Sequence, residues 1–267
     1  MKIKIKQNIM QTEKPLLIIA GPCVVESKEM LRETAGTLKE ICSALNFDFI
    51  FKSSYKKANR TGARSFTGIG DEKALTYLAE IREEFDVKVI TDIHSVEEVK
   101  TAALHVDALQ IPAFLSRQTE ILIAAGETGK LINIKKGQFM APEDMQKAID
   151  KVLISGNNKI MLTERGTFFG YHDLVVDFRS LIIMRQFGFP VIYDATHSLQ
   201  QPSAGEQSGG LPQFIKPMAR AAVAVGIDGL FFETHPDPAT AKSDASTQMK
   251  LSEVKSFLEE IKRWREK

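Results

Sequence analysis

Residues 16–23 read Leu-Leu-Ile-Ile-Ala-Gly-Pro-Cys. Five apolar residues in succession suit a strand buried on both faces. Gly-Pro-Cys then stops the strand and turns the chain. The plan recurs in DFIFK (48–52), VKVITD (87–92), DALQIP (107–112), LINIK (131–135), KIMLTER (159–165), VIYDATH (191–197) and GLFFETH (229–235). Almost every run ends in a charged or polar residue. Their starts are separated by about 30 residues, the size of a strand–loop–helix–loop unit. Helical patterning fills the intervals, as in Lys28–Leu45, Leu211–Val225 and Leu251–Trp264. Eight such alternations predict an α/β fold, a closed (β/α)8 TIM barrel.

The 267 residues match one such barrel, which needs about 250. A single domain over residues 1–267 is expected. MKIKIKQNIM alternates Lys and Ile and reads as a short strand, half of a hairpin with residues 8–14 that caps the bottom of the barrel. Apolar residues make up 43% and charged residues 26%, with a net charge of +1. That balance is ordinary for a globular chain and gives no support to nucleic-acid binding. No apolar run approaches the roughly 20 residues of a membrane span, and the N-terminus lacks the apolar stretch of a signal peptide. Two cysteines make no disulfide framework. A cytoplasmic protein is expected, with Cys42 a buried apolar residue of the first helix.

In a barrel, the polar strand ends converge on one rim. This nominates Cys23, Lys52, Asp92, Gln110, Lys135, Arg165, His197 and Glu233 for a single pocket. Three long polar segments, 53–70, 200–210 and 236–248, follow strands and can roof it. Gly205, Gly209 and Gly210 make the second a candidate mobile lid. Lys52, Lys57, Lys135, Lys136 and Arg165, with Arg60, Arg64 and Arg117 on nearby loops, would repel one another without an anion. A phosphorylated substrate with two anionic groups answers that need, although any one lysine alone is ordinarily a solvated surface residue. Cys23, His197, Glu233, His235 and Asp244 form a set suited to zinc or ferrous iron. Strands one, seven and eight are neighbours in a closed barrel, which brings the set together. The alternative is Cys23 as packing and His197 as a hydrogen-bonded structural residue. In TDIH (91–94), Ser95 and Glu98 read as a capping box, which leaves Asp92 and His94 free for the pocket.

At these residues the chain resembles the 3-deoxy-D-manno-octulosonate 8-phosphate synthases. The segments that carry the likeness are IAGPC, FKSSYKKANRTG, TDIH, LQIPAFLSRQT, NIKKGQF, LTERGTFFGY, VDFRSL, YDATHS, AAVAVG, FFETHPDP and SDASTQ, from 19 to 248. The resemblance implies a transferase that condenses phosphoenolpyruvate with arabinose 5-phosphate and water for lipopolysaccharide biosynthesis, on a barrel assembled as a homotetramer. It implies that Lys57, Lys135 and Arg165 bind the phosphate and carboxylate of phosphoenolpyruvate, beside Lys52, Ser54 and Gln110. It gives Asn59, Arg60 and Thr61 to the sugar phosphate, with Phe114 in the substrate site and Arg117 arriving from a neighbouring subunit. Cys23, His197, Glu233 and Asp244 would hold one divalent ion such as iron, zinc or manganese. Lys57, Asp92, His94, His197 and Asp244 would do the chemical work, with Asp92 and His94 facing the aldehyde.

The sister family, which uses erythrose 4-phosphate, is the first alternative. Its loop reads Lys-Pro-Arg-Thr where this chain has Lys57-Ala58-Asn59-Arg60-Thr61. An Asn can bond sugar hydroxyls that a Pro cannot. Metal-independent relatives carry Asn in place of Cys23 and tend to lack the Ser-Thr-Gln after Asp244-Ala245, so this chain resembles the metal-dependent group. A metal-dependent aldolase would have little need for two anion sites. A non-catalytic phosphosugar-binding barrel would have no need of the four metal-type side chains.

Overall fold

The computed structural model describes residues 14–59, 65–171, 173–201 and 209–266. Eight parallel strands form the barrel: β1 (Leu17–Gly21), β2 (Asp48–Lys52), β3 (Lys88–Asp92), β4 (Ala108–Ile111), β5 (Leu131–Lys135), β6 (Ile160–Glu164), β7 (Val191–Asp194) and β8 (Gly229–His235). Each pairs with the next, and β8 pairs back onto β1 in register from Leu17–Gly229 to Gly21–Glu233. The sheet is closed, as expected. Helices α1 (Lys28–Leu45), α2 (Asp71–Phe85), α3 (Val96–His105), α4 (Thr119–Glu127), α5 (Met145–Leu153), α6 (Arg179–Arg185), α7 (Ile215–Val225) and α8 (Val254–Arg265) surround it. The expected hairpin of residues 1–14 lies almost wholly outside the described residues.

Helix α1 shows how local sequence sets these elements. The Ser27 hydroxyl accepts a hydrogen bond from the Met30 amide, 3.1 Å away, and caps the first turn. Leu31, Thr34, Ala35, Leu38 and Cys42 recur at helical spacing and form the buried face. Cys42 is thus a packing residue, and burial pushes its thiol up to about 12. Asn46 ends the helix in the left-handed conformation (φ 59°). The seventh helix starts later than its apolar pattern suggested. Pro212–Phe214 make a separate 3-10 turn before Ile215. Ala219 and Ala222 are buried in its packing face.

Side-chain alternation along the strands decides what the mouth contains. Two apolar layers are separated by the sheet. Ile18, Phe51, Val89, Leu109, Ile132, Leu162, Val191 and Leu230 face outward to the helices. Ile19, Ile50, Ile90, Ala108, Met161, Ile192 and Phe231, with Leu17 and Leu131 beside them, fill the interior. Each fully buried Ile or Leu contributes about 1.5–3 kcal/mol of transfer free energy. Two residues beyond each inward apolar side chain, the period of a strand brings the next inward position to the C-terminal rim. Those positions are Gly21, Lys52, Asp92, Gln110, Asn133, Thr163, Asp194 and Glu233. One further step adds Lys135 and Arg165. The barrel floor is therefore apolar and its mouth is polar.

Candidate active site

The mouth opens into a cavity of about 400 Å3 whose wall includes Lys52, Ser54, Lys57, Asn59, Asp92, His94, Gln110, Phe114, Lys135, Arg165, His197 and Asp244. All three long polar segments reach it, through Ser65 and Phe66, Gln200, and Lys242 to Ala245. Arg60, Thr61, Arg64 and the Gly205 portion of the candidate lid lie outside the described residues. Arg117 is exposed two residues before α4 and does not line this chain's own cavity, and its carbonyl accepts from Lys151. Cys23 and Glu233 sit directly below the cavity wall, both buried.

The cations do not converge unpaired, contrary to the expectation of mutual repulsion. Lys52 Nζ is 3.0 Å from Glu233 Oε1 and 3.5 Å from Asp92 Oδ2. Lys57 Nζ is 3.2 Å from Asp244 Oδ2, and Lys135 Nζ is 2.8 Å from Asp194 Oδ2. Charge balance therefore comes first from the chain's own carboxylates. Burial opposes the Lys52 ammonium, but Glu233 and Asp92 outweigh it and hold its pKa above the usual range. Burial likewise pushes the Asp92 carboxyl up, and Lys52 and Lys135 pull it further down, so it stays ionised. Lys135 lies below the usual lysine range because burial outweighs Asp194. Arg165 differs from these lysines. It donates to the His197 carbonyl at 2.6 Å and to Gln200 Oε1 at 3.2 Å. Its Nε is buried without a hydrogen-bond partner.

Asp92 and His94 are also not free. Asp92 accepts from Ser54 Oγ and from Gln110 Nε2, the latter at 2.6 Å. Gln110 Oε1 accepts from Asn133 Nδ2 at 2.9 Å, and Asn133 Oδ1 accepts from Thr163 at 2.7 Å. This chain of bonds fixes which way the Gln110 amide points. Ser95 has the backbone of an N-cap but makes no side-chain capping bond. Glu98 instead reaches back to His94, accepting from its amide at 2.8 Å and meeting its Nδ1 at 3.0 Å. It also pairs with Lys56 at 2.6 Å. A carboxylate one turn into α3 therefore orients the His94 ring.

The metal-type residues gather in part as expected. One ligand atom each from Cys23, Glu233 and Asp244 lies within 4.8 Å of the others. Cys23 Sγ is 2.9 Å from Asp244 Oδ2. His197 joins through Glu233, with Nε2 3.5 Å from Oε1. Burial raises the Cys23 thiol well above its usual pKa, and Asp244 and Glu233 add to the effect. A divalent ion would reverse that balance. The donor set fits one: a thiol, two carboxylates and an imidazole, with Glu233 Oε2 buried and lacking a hydrogen-bond partner. His235, the other histidine considered, turns away and bonds the Asp237 backbone.

Asp194 is the functional-site residue that the strand-end reading passed over. It is fully buried. It accepts from the Thr196 and His197 amides at 3.1 and 2.8 Å, and its Oδ2 lies 2.9 Å from His197 Nδ1. It thereby joins Lys135 to His197. The signal was present in the sequence: Ile192 faces inward, so Asp194 two residues on does too. Asn133 and Thr163 follow from the same parity.

Fold and mouth together define a (β/α)8 barrel whose rim gathers cations, carboxylates and metal-type side chains around one cavity. Residues 1–267 match the model of the DAHP synthetase I family, and the chain belongs to that family. A 2-dehydro-3-deoxyphosphooctonate aldolase from Koribacter versatilis (strain Ellin345) is 52% identical over 255 residues, 94% of this chain and 91% of that protein. The protein of that name from Azoarcus sp. (strain BH72) is 51% identical over 253 residues, 94% of this chain and 91% of its own. That from Bartonella tribocorum (strain CIP 105476 / IBS 506) is 48% identical over 261 residues, 97% of this chain and 94% of its own.

Proposed function

We infer that this chain condenses phosphoenolpyruvate with D-arabinose 5-phosphate and water, giving 3-deoxy-D-manno-octulosonate 8-phosphate and phosphate. The name shared by its relatives favours this over the sister reaction with erythrose 4-phosphate. The observation in the chain that carries it is Arg165, a buried guanidinium that lines the mouth together with Lys135. Among the described residues no carboxylate forms an ion pair with this guanidinium, and an anionic group on the substrate is the counter-charge it would take.

In this reading Lys57, Lys135 and Arg165 bind the phosphate and carboxylate of phosphoenolpyruvate, with Lys52, Ser54 and Gln110 beside them. Asn59, Arg60 and Thr61 bind the sugar phosphate against Phe114, and Arg117 of a neighbouring subunit completes that site in a homotetramer. The methylene carbon attacks the aldehyde, and negative charge develops on the aldehyde oxygen. Asp92 is ionised and cannot protonate it. His94 can do so from Nε2 in its imidazolium form, in which Nδ1–H donates to Glu98. Water adds at the carbon bearing the phosphate, and the phosphohemiketal then loses phosphate by carbon–oxygen cleavage. The protein's main contribution is to hold both substrates in line. Cys23, His197, Glu233 and Asp244 would hold one divalent ion, which would supply positive charge to fix or polarise a substrate oxygen. No helix among the described residues is long and apolar enough to cross a membrane, and the reaction proposed is that of a cytoplasmic biosynthetic enzyme. Phosphate release from phosphoenolpyruvate with each of arabinose 5-phosphate and erythrose 4-phosphate, before and after chelation, tests the reading. Higher catalytic efficiency with erythrose 4-phosphate overturns it.

A further inference from the structure

Lys136 and Glu164 flank the mouth without entering it. Each is sequence-adjacent to a mouth cation, Lys136 to Lys135 and Glu164 to Arg165. Alternation turns them to the opposite side of the sheet, where they lie among the loops that leave β5 and β6. Lys136 is completely buried and Glu164 is 1% exposed. Lys136 Nζ lies 3.5 Å from Glu164 Oε1. The same ammonium donates to the carbonyls of Gly137 (3.4 Å), Met140 (3.3 Å) and Gly166 (3.5 Å), and to Thr167 Oγ1 (3.2 Å). Glu164 Oε1 accepts from the Gly166 amide at 2.7 Å.

The position of these contacts is informative. The β5–β6 register ends at Lys135 opposite Thr163, with one further bond from the Lys136 amide to the Thr163 carbonyl. Beyond it, ladder bonds no longer fix the spacing of the two chains. Lys136 supplies the missing tie, since one side chain grips the loop after β5 at two carbonyls and the loop after β6 at two oxygens. A buried ion pair is seldom the most stable filling for such a space, because apolar residues of similar size avoid the desolvation cost. Its directional bonds do what apolar packing cannot: they set the separation of the backbones that carry Lys135 and Arg165.

We propose that Lys136 and Glu164 are positioning residues for the anion seat, clipping the loops after β5 and β6 so that Lys135 and Arg165 meet one anionic substrate group together. The inference rests on the proposed function for the identity of the anion. The variants are Lys136→Met and the double variant Lys136→Met/Glu164→Leu. The readouts are thermal stability, calorimetric binding of phosphoenolpyruvate to the intact enzyme, and KM for each substrate. Lys136→Met is expected to lower Tm and to raise Kd and KM for phosphoenolpyruvate on the order of tenfold or more, the scale of a sub-ångström to 1 Å misplacement. KM for the phosphosugar, held from the loop after β2, should barely change. The double variant removes the stranded carboxylate, so Tm should recover while phosphoenolpyruvate affinity stays weak. Should Lys136→Met fail to fold, the double variant carries the test alone. Wild-type phosphoenolpyruvate affinity in the double variant, or equal weakening of both substrates, overturns the proposal. Calorimetry needs no turnover. A wild-type protein that binds phosphoenolpyruvate but does not release phosphate would refute the proposed reaction while leaving the clip testable.

Discussion

Replacing Asp194 by Asn removes one charge from the centre of the site and almost no volume. The remaining amide oxygen can still accept from the Thr196 and His197 amides, as Oδ1 does now, so the turn after β7 should persist. The new NH2 group takes the place of Oδ2, 2.8 Å from Lys135 Nζ and 2.9 Å from His197 Nδ1. The Lys135 contact becomes donor facing donor, and His197 Nδ1 loses its shorter partner and keeps only the amide oxygen 3.2 Å away. Each charge-assisted hydrogen bond is worth about 1.5–3 kcal/mol. Lys135 can retreat toward the cavity, and the His197 ring can rotate, so the two losses will not add fully. A net loss of about 2–3 kcal/mol in transition-state stabilisation corresponds to about a 30- to 160-fold fall in kcat/KM. The same change frees the imidazole orientation, which by analogy with other carboxylate–histidine pairs weakens metal binding about 10- to 100-fold. A phosphate-release assay over a range of phosphoenolpyruvate concentrations gives the first quantity. Metal content after dialysis against graded chelator gives the second. An Asp194→Asn enzyme with wild-type kcat/KM and wild-type metal retention would refute the view that this carboxylate organises Lys135 and His197.

Chelation should abolish activity and added divalent metal should restore it. Cys23→Asn should bind metal weakly yet keep more activity than Cys23→Ala, because Ala offers no polar group beside Asp244; a fully active wild-type enzyme in excess chelator would reduce Cys23 to packing. Acid should destabilise the fold with a definite sign. Buried Asp92, Asp194 and Glu233 have folded pKa values below their ordinary range, so their stabilisation is full above the unfolded value of about 4 and is lost as pH falls through the folded values. Tm measured from pH 7 down to pH 3 should fall steeply at the acid end, and less steeply in Asp92→Asn; identical slopes would count against the coupling. Gly21→Ala should cost about 1–3 kcal/mol by overpacking, since its Cβ would lie 2.1 Å from the Lys52 carbonyl oxygen; an unchanged urea midpoint would show that β1 and β2 can separate there without penalty.

The sequence by itself determined the barrel and most of its rim. Strand and helix periods are local properties, and runs such as LLIIAGPC and GLFFETH state both the burial of a strand and the residue at which it ends. Closure followed from the number of repeats and made neighbours of β1, β7 and β8, which gathers Cys23, Glu233 and Asp244 from opposite ends of the chain. Parity also held more than was taken from it, since Ile192 pointing inward already implied Asp194. Only the tertiary structure decided how charge is distributed. A run of strand ends shows that lysines and carboxylates share a rim, but not which pairs meet within 3.5 Å. That depends on strand stagger, loop path and the direction of each side chain. Lys52 between Glu233 and Asp92, Lys135 on Asp194, His94 held by Glu98, and Arg165 left with an unpartnered Nε are all outcomes of that packing. The same holds for Lys136. Its sequence neighbour faces the cavity, and it reads as one more cation until the fold turns it to the far side of the sheet, where it is completely buried.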